Sequence, residues 1–187
     1  MSIGKYYYSI NDAKSSSSEI KEFMKIIEET EIKDLKSIDP EADIDVISSI
    51  CRGLRVFTSD SLFYLVYVVD DMYKSIVMFN IDDGFIHLNI FCSNEKGCGE
   101  KLLGLLKEIA TKNSLGIRVE LPFSHNHDEI FDKSVLEKNK LYNYYIKNGF
   151  TLEHEFIEGK FPIKLVFNQS AFKSKKSKSK KSKSNSR

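Results

Sequence analysis

The sequence predicts a mixed α/β chain of the α+β kind, with a mixed, mostly antiparallel sheet and helices on both of its faces. Three observations predict it. Residues 62–69, 74–80 and 85–92 ("LFYLVYVV", "KSIVMFN", "FIHLNIFC") are consecutive extended runs joined by short polar turns, Asp70-Asp71 and Asp82-Asp83-Gly84, as in hairpin-linked antiparallel strands. The period then changes: in 99–113, Leu102, Leu103, Leu106 and Ile109 share one helical face. A strand, a helix and a pair of strands follow before residue 168, and that alternation implies a mixed sheet faced by helices.

Each element has its own warrant. "KYYYSI" (5–10) reads as a first strand. Serines 15–18 offer N-cap side chains to an amphipathic helix over 18–30, with Ile20, Phe23, Met24 and Ile27 at helical spacing. A second helix is expected over 40–54: Pro40 suits its first turn, Ile44, Ile47, Cys51 and Leu54 make a stripe, and Gly53 ends it. "GIRVEL" (116–121) is a short strand, and 134–149 is one helix stopped by Gly149. "FTLEHEFI" (150–157) and "IKLVFN" (163–168) close the pattern as two strands.

The chain's 187 residues, 41% of them hydrophobic, suit one domain with its own core, expected over 1–171. No run approaches the roughly 20 apolar residues of a membrane helix, and the N-terminus shows no apolar signal core. Cys51, Cys92 and Cys98 are an odd number at no disulfide-framework spacing. Reduced thiols in a cytoplasmic setting are therefore expected, with Cys92 a small apolar filler. The net charge of +1 hides an asymmetry. Residues 172–187 carry seven Lys, one Arg and no acid, leaving 20 basic and 27 acidic residues in 1–171: +8 for the tail, −7 for the body. The tail alternates Lys with Ser and has nothing apolar after Phe172, so it is expected to be disordered. Its charge favours nucleic acid, an anionic membrane surface or an acidic protein, or a nuclear address.

The stretch 92–103, "CSNEKGCGEKLL", joins a strand to a helix through Gly97 and Gly99. It is not a P-loop, for no Gly-Lys-Ser/Thr follows, and it lacks the third glycine of a dinucleotide fingerprint, since position 102 is Leu. What remains is a helix start whose amide groups lack intrahelical acceptors and suit an anion, with glycines allowing close approach. The same glycines also suit a bare turn. Farther on, "LYNYYIKNGF" (141–150) places an aromatic pair four residues before Gly-Phe at a helix–strand junction.

In this order and context, Asn94-x-x-Gly97-x-Gly99 and Tyr145-x-x-x-Gly149-Phe150 resemble the GCN5-related N-acetyltransferase (GNAT) superfamily over about residues 5–168. That family carries Arg/Gln-x-x-Gly-x-Gly/Ala between its fourth strand and the following helix, and ends its next helix with Tyr-x-x-x-Gly-Phe. Here Asn94 stands in place of Arg or Gln. The resemblance implies a sheet splayed between the fourth and fifth strands, 85–92 and 116–121. It also implies acetyl-CoA as co-substrate and acetyl transfer to an amine. Backbone of Ile90, Phe91 and Cys92 would meet the pantetheine. Asn94 and the turn from Lys96 through Gly97, Cys98 and Gly99, extending to Glu100 and Lys101, would meet the pyrophosphate. Tyr145 takes the place of the general acid. Its ordinary pKa near 10 suits a proton donor at neutral pH.

His87 is one candidate base, on the strand and on the same face as Asn89; Glu120 on the next strand is the rival. The acidic body, with Asp82, Asp83, Asp128 and Glu129, is compatible with a cationic acceptor such as a polyamine or a lysine. No metal is expected: "HNHDE" (125–129) reads as a solvated polar loop. The expected assembly is a monomer or homodimer. A different class stands beside the enzyme: a scaffold of this shape without catalysis, brought to a polyanion by the basic tail.

Overall fold

The computed structural model describes residues 4–11, 15–32, 35–37, 51, 62–121, 133–157 and 162–168. The helix expected over 40–54 (apart from Cys51), the loop 125–129 and the tail 172–187 lie outside the described residues. The chain divides into two compact units, Met1–Leu115 and Gly116–Arg187.

The first unit contains β1 (Lys5–Ile10), α1 (Ser17–Thr30), β2 (Lys36–Ser37), β3 (Phe63–Val69), β4 (Met72–Asp82), β5 (Phe85–Ser93) and α2 (Cys98–Lys112). Its strands run in the order β2-β1-β3-β4-β5, with the β1–β2 pair parallel and the others antiparallel. The expected meander is present and longer than its apolar runs: β4 extends through Asp82, because pairing continues to the hairpin. The turn residues Asp70, Asp71, Asp83 and Gly84 all have positive φ, the backbone that tight hairpins require. The two-residue β2 is too short for any periodic signal.

α1 begins where the serines place it. Ser16 accepts from the Glu19 amide at 3.3 Å, and Glu19 accepts from the Ser16 amide at 2.7 Å, a reciprocal capping box. These bonds hold the Glu19 carboxyl below its ordinary pKa. Phe23 of α1 stacks on Phe63 of β3, centroids 4.3 Å apart. α2 covers the same sheet face, since Ser75 Oγ donates to the Cys98 carbonyl and Lys101 Nζ to the Tyr67 hydroxyl. The C-terminal ends of the two helices meet. Asn113 donates to Thr30 Oγ1 at 3.0 Å, and the Lys112 ammonium to the Thr30 carbonyl, where a cation suits the helix dipole.

The opposite face gathers Val66, Val68, Ile76 and Met78 around Cys51. Here the cysteine reading is corrected: Cys51 and Cys92 form a disulfide, Cα atoms 5.3 Å apart, within the range such a bridge requires. Chain folding brings together two residues 41 positions apart, which spacing in sequence does not show. Cys98 remains a free, buried thiol, and desolvation pushes its pKa up.

The second unit contains β6 (Gly116–Leu121), α3 (Lys133–Lys138), α4 (Lys140–Lys147), β7 (Thr151–Leu152) and β8 (Ile163–Phe167), with β8 between β6 and β7, both antiparallel to it. The single helix expected over 134–149 is two, because Asn139 leaves helical geometry and caps α4, accepting from the Leu141 and Tyr142 amides. The strand expected over 150–157 shrinks to Thr151–Leu152. Strands 85–92 and 116–121, between which the resemblance implies a splay, fall in different units, and the splay stands as an expectation.

Candidate active site

The join between β5 and α2 is built by its glycines. Gly97 has φ +86°, a left-handed backbone that costs an L-residue roughly 1–2 kcal/mol. Gly97 is also the N-cap, so no side chain caps the helix. The contrast is with Ser16 of α1, whose side chain occupies that role. Gly99 serves close packing instead: a Cβ there would stand 3.2 Å from Ser93 Cβ and 3.4 Å from Phe91 Cζ. Two amides in the turn are already committed, Cys98 to the Glu95 carbonyl and Lys101 to the Gly97 carbonyl. Helix pairing takes the Lys101 amide and a turn bond takes that of Cys98. Among the expected donors, the amides of Lys96, Gly97 and Gly99 carry no such backbone bond and face a helix start suited to an anion.

Side chains around the turn hold it in shape. Asn94 Nδ2 donates to the Tyr73 carbonyl at 3.3 Å, so the residue in the Arg/Gln position ties the turn to β4. Ser93 Oγ donates to the carbonyls of Glu95 and Lys74. Lys74 Nζ pairs with Glu95 at 2.8 Å, and the hydrogen bond to that carboxylate raises the lysine pKa. The Lys101 side chain lies over the Tyr67 ring and donates to its hydroxyl at 3.0 Å, within the α2–sheet contact. Lys74 and Ser93 escaped sequence reasoning. Lys74 is set by strand register: Tyr67 pairs with Ser75 and Val68 with Tyr73, leaving Lys74 as the extra residue between β3 and β4.

Ile90, Phe91 and Cys92 pair with Met78, Val77 and Ile76 of β4. Phe91 points toward Gly99, while Ile90 and Cys92 pack against the Cys51 cluster. A second shift follows: Met78 pairs with Ile90 but Phe79 with Leu88, so Asn89 is a bulge. That bulge breaks the alternation which placed His87 and Asn89 on one face. His87 lies near the β4–β5 hairpin, Nε2 3.3 Å from the Asp82 carbonyl. Six residues along the strand separate it from Ser93, about 20 Å at a strand's rise.

Tyr145 and Glu120 belong to the second unit. Tyr145 is 2% exposed, its ring edge-on to Tyr144 and Phe150 at 5.4 and 5.0 Å. Burial drives its pKa well above the usual phenol value, with Tyr144 adding to the effect. The Tyr-x-x-x-Gly-Phe signature has a local explanation. The Phe150 amide donates to the Tyr145 carbonyl and the Gly149 amide to that of Ile146, while Gly149 takes φ +84°. This is a Schellman helix ending with its usual hydrophobic contact, here Phe150 on Tyr145. Glu120 pairs with Lys164 across the β6–β8 register at 2.9 Å. Among the described residues, no group of three His, Cys, Asp or Glu could hold a metal ion.

No protein-family model and no curated protein matches the sequence. Solved structures similar to the chain include N-acetyltransferases. The PaiA N-acetyltransferase of Thermoplasma acidophilum, in complex with coenzyme A, shares 18% identity over 56% of this chain and 59% of its own length, TM-score 0.40. The ribosomal-protein-S18-alanine N-acetyltransferase of Escherichia coli shares 12% over 68% and 88%, TM-score 0.47. Campylobacter jejuni PseH shares 16% over 89% and 98%, TM-score 0.44. The chain thus spans about three fifths of the first of these proteins.

Proposed function

We propose that the chain is a GNAT-superfamily N-acetyltransferase, moving the acetyl group of acetyl-CoA to a primary amine of a small molecule or a protein. The observation that carries this reading is the start of α2: a left-handed glycine as N-cap, no capping side chain, and a second glycine that lets the helix sit close on β5. Such a start presents uncommitted amides and the positive end of a 15-residue helix to an anion. The residues present fit coenzyme A. The amides of Lys96, Gly97 and Gly99 would hold its pyrophosphate, Lys74 and Lys96 would add positive charge, and the backbone of Ile90 to Cys92 would line its pantetheine. Acetyl-CoA supplies an activated acetyl thioester when bound. The acceptor amine must shed a proton and the departing sulfur must gain one. Tyr145 is the candidate for the second task; its phenol is protonated at neutral pH, and burial, by raising its pKa, makes it a weaker donor than a free phenol. His87 and Glu120 remain the candidates for the first, each already engaged, with Asp82 and Lys164 respectively. An acidic body of −7 suits a cationic acceptor.

The test is calorimetric titration with coenzyme A and acetyl-CoA, followed by a thiol-release assay against a panel of amines and lysine peptides. Binding together with acceptor-dependent thiol release supports the reading. Absence of binding at millimolar coenzyme A overturns it.

One observation favours a non-catalytic scaffold held at a polyanion by the tail: Tyr145 is fully employed as the hydrophobic contact of a helix ending. On that reading Tyr145→Phe changes nothing, and removal of residues 172–187 abolishes function. For the transferase the order reverses.

A further inference from the structure

We propose that the second unit carries a binding pocket for a small zwitterion, an α-amino acid with an apolar side chain. After β7, the Glu153 amide donates to the Lys164 carbonyl at 3.0 Å, and the chain then leaves β8. The opening beside this departure is a cavity of about 400 Å³, toward the small end of the range for ligand sites. Among the described residues its charged lining is balanced: Arg118 and Lys164 against Glu153 and Glu155, with His154 beside them. The other five described lining residues are apolar, among them Ile157, which is 54% exposed.

This balance selects the ligand. A simple anion brought here meets two carboxylates, and a simple cation meets two cations. A molecule carrying both signs satisfies both sets. Arg118 is held ready for the carboxylate: its Nη2 donates to Glu153 Oε1 at 2.5 Å, with the two side chains only 21% and 16% exposed. A guanidinium is a rigid fork of five donors, so orienting it in advance lowers the ordering cost of binding. Partial burial also strengthens its charge interactions relative to open surface. Lys164 stands at the rim in an exposed pair with Glu120, the kind of bond that contributes little, so the ligand's carboxylate can recruit it. The ammonium group meets Glu153 and Glu155, and the apolar side chain lies along the apolar wall. Every residue in the site belongs to the second unit, and Lys164 also pairs with Glu120, a candidate base of the proposed transferase.

The test is calorimetry on the full chain with L-leucine and L-phenylalanine, against leucinamide (ammonium only) and 4-methylpentanoate (carboxylate only). At least one amino acid is expected to bind in the millimolar range or tighter, with each single-charge analogue of leucine about tenfold weaker, the equivalent of 1.4 kcal/mol. Glu155→Gln and Lys164→Gln are each expected to weaken amino-acid binding at unchanged melting temperature. Three results overturn the proposal: no heat from either amino acid, equal affinity for leucine and both its analogues, or binding indifferent to both substitutions.

Discussion

Gly97 and Gly99 answer to different forces, and substitution separates them. Gly97→Ala keeps the space around it open but strains a left-handed backbone. A loss of about 1–2 kcal/mol in urea denaturation is expected, together with weaker coenzyme A binding as the amides turn away. Gly99→Ala pushes α2 off Ser93 and Phe91, so it is expected to weaken coenzyme A binding through the same corner. Tyr145 carries a sharper test. Tyr145→Phe keeps the ring contact with Phe150, so its cost in stability is expected to stay within about 1 kcal/mol, while turnover falls if the phenol is the acid. The pH dependence has a fixed sign. The folded state holds the Tyr145 proton more tightly than the unfolded chain. The associated stability is therefore present below the ordinary phenol pKa near 10 and lost as pH rises above it. Melting temperatures between neutral pH and about pH 11 are expected to fall less steeply for Tyr145→Phe than for the parent. The sequence named both glycines and the tyrosine. It did not distinguish a conformational glycine from a packing one, because φ and neighbour distance are properties of the folded chain.

Elements follow their end residues. The expected helix 134–149 breaks because Asn139 accepts from two amides of α4, satisfying groups that a continuous helix would satisfy with carbonyls. Asn139→Ala is expected to destabilise the second unit by about 1 kcal/mol, measured by chemical denaturation, with loss of helical ellipticity. At β4 and β5 the controlling feature is pairing: the extra residue Lys74 comes from the register of β4 with β3, and the bulge at Asn89 from that of β5 with β4, which periodicity along one strand does not carry. The Cys51–Cys92 bridge closes a 41-residue separation, for which chain entropy gives about 3–5 kcal/mol. Dithiothreitol is expected to lower the melting temperature of the parent chain and leave a Cys51→Ser/Cys92→Ser double variant unchanged. Equal sensitivity of the two chains would rule out that contribution.

For the whole molecule, charge is the property most legible in sequence. Removing residues 172–187 changes the net charge from +1 to −7. The truncated chain is expected to lose retention on heparin or RNA. The full chain's retention should fall steeply with salt, as counterion release requires. Retention independent of the tail would place the polyanion contact elsewhere. Acetyl transfer to a small amine is expected to survive the truncation.

By itself, the sequence determined the class of architecture, since alternating and helical periods report which residues seek burial. It also located the corner at Gly97 and Gly99 and the helix ending at Tyr145, Gly149 and Phe150, because glycine and its neighbours set local backbone geometry over a few residues. Only the tertiary structure decided which thiols meet, which amides of the turn are already committed, that Asn94 bonds back to β4, and that Arg118, Glu153 and Lys164 surround one cavity. These depend on strand register and chain crossing, which bring together residues tens of positions apart, and no local pattern encodes them.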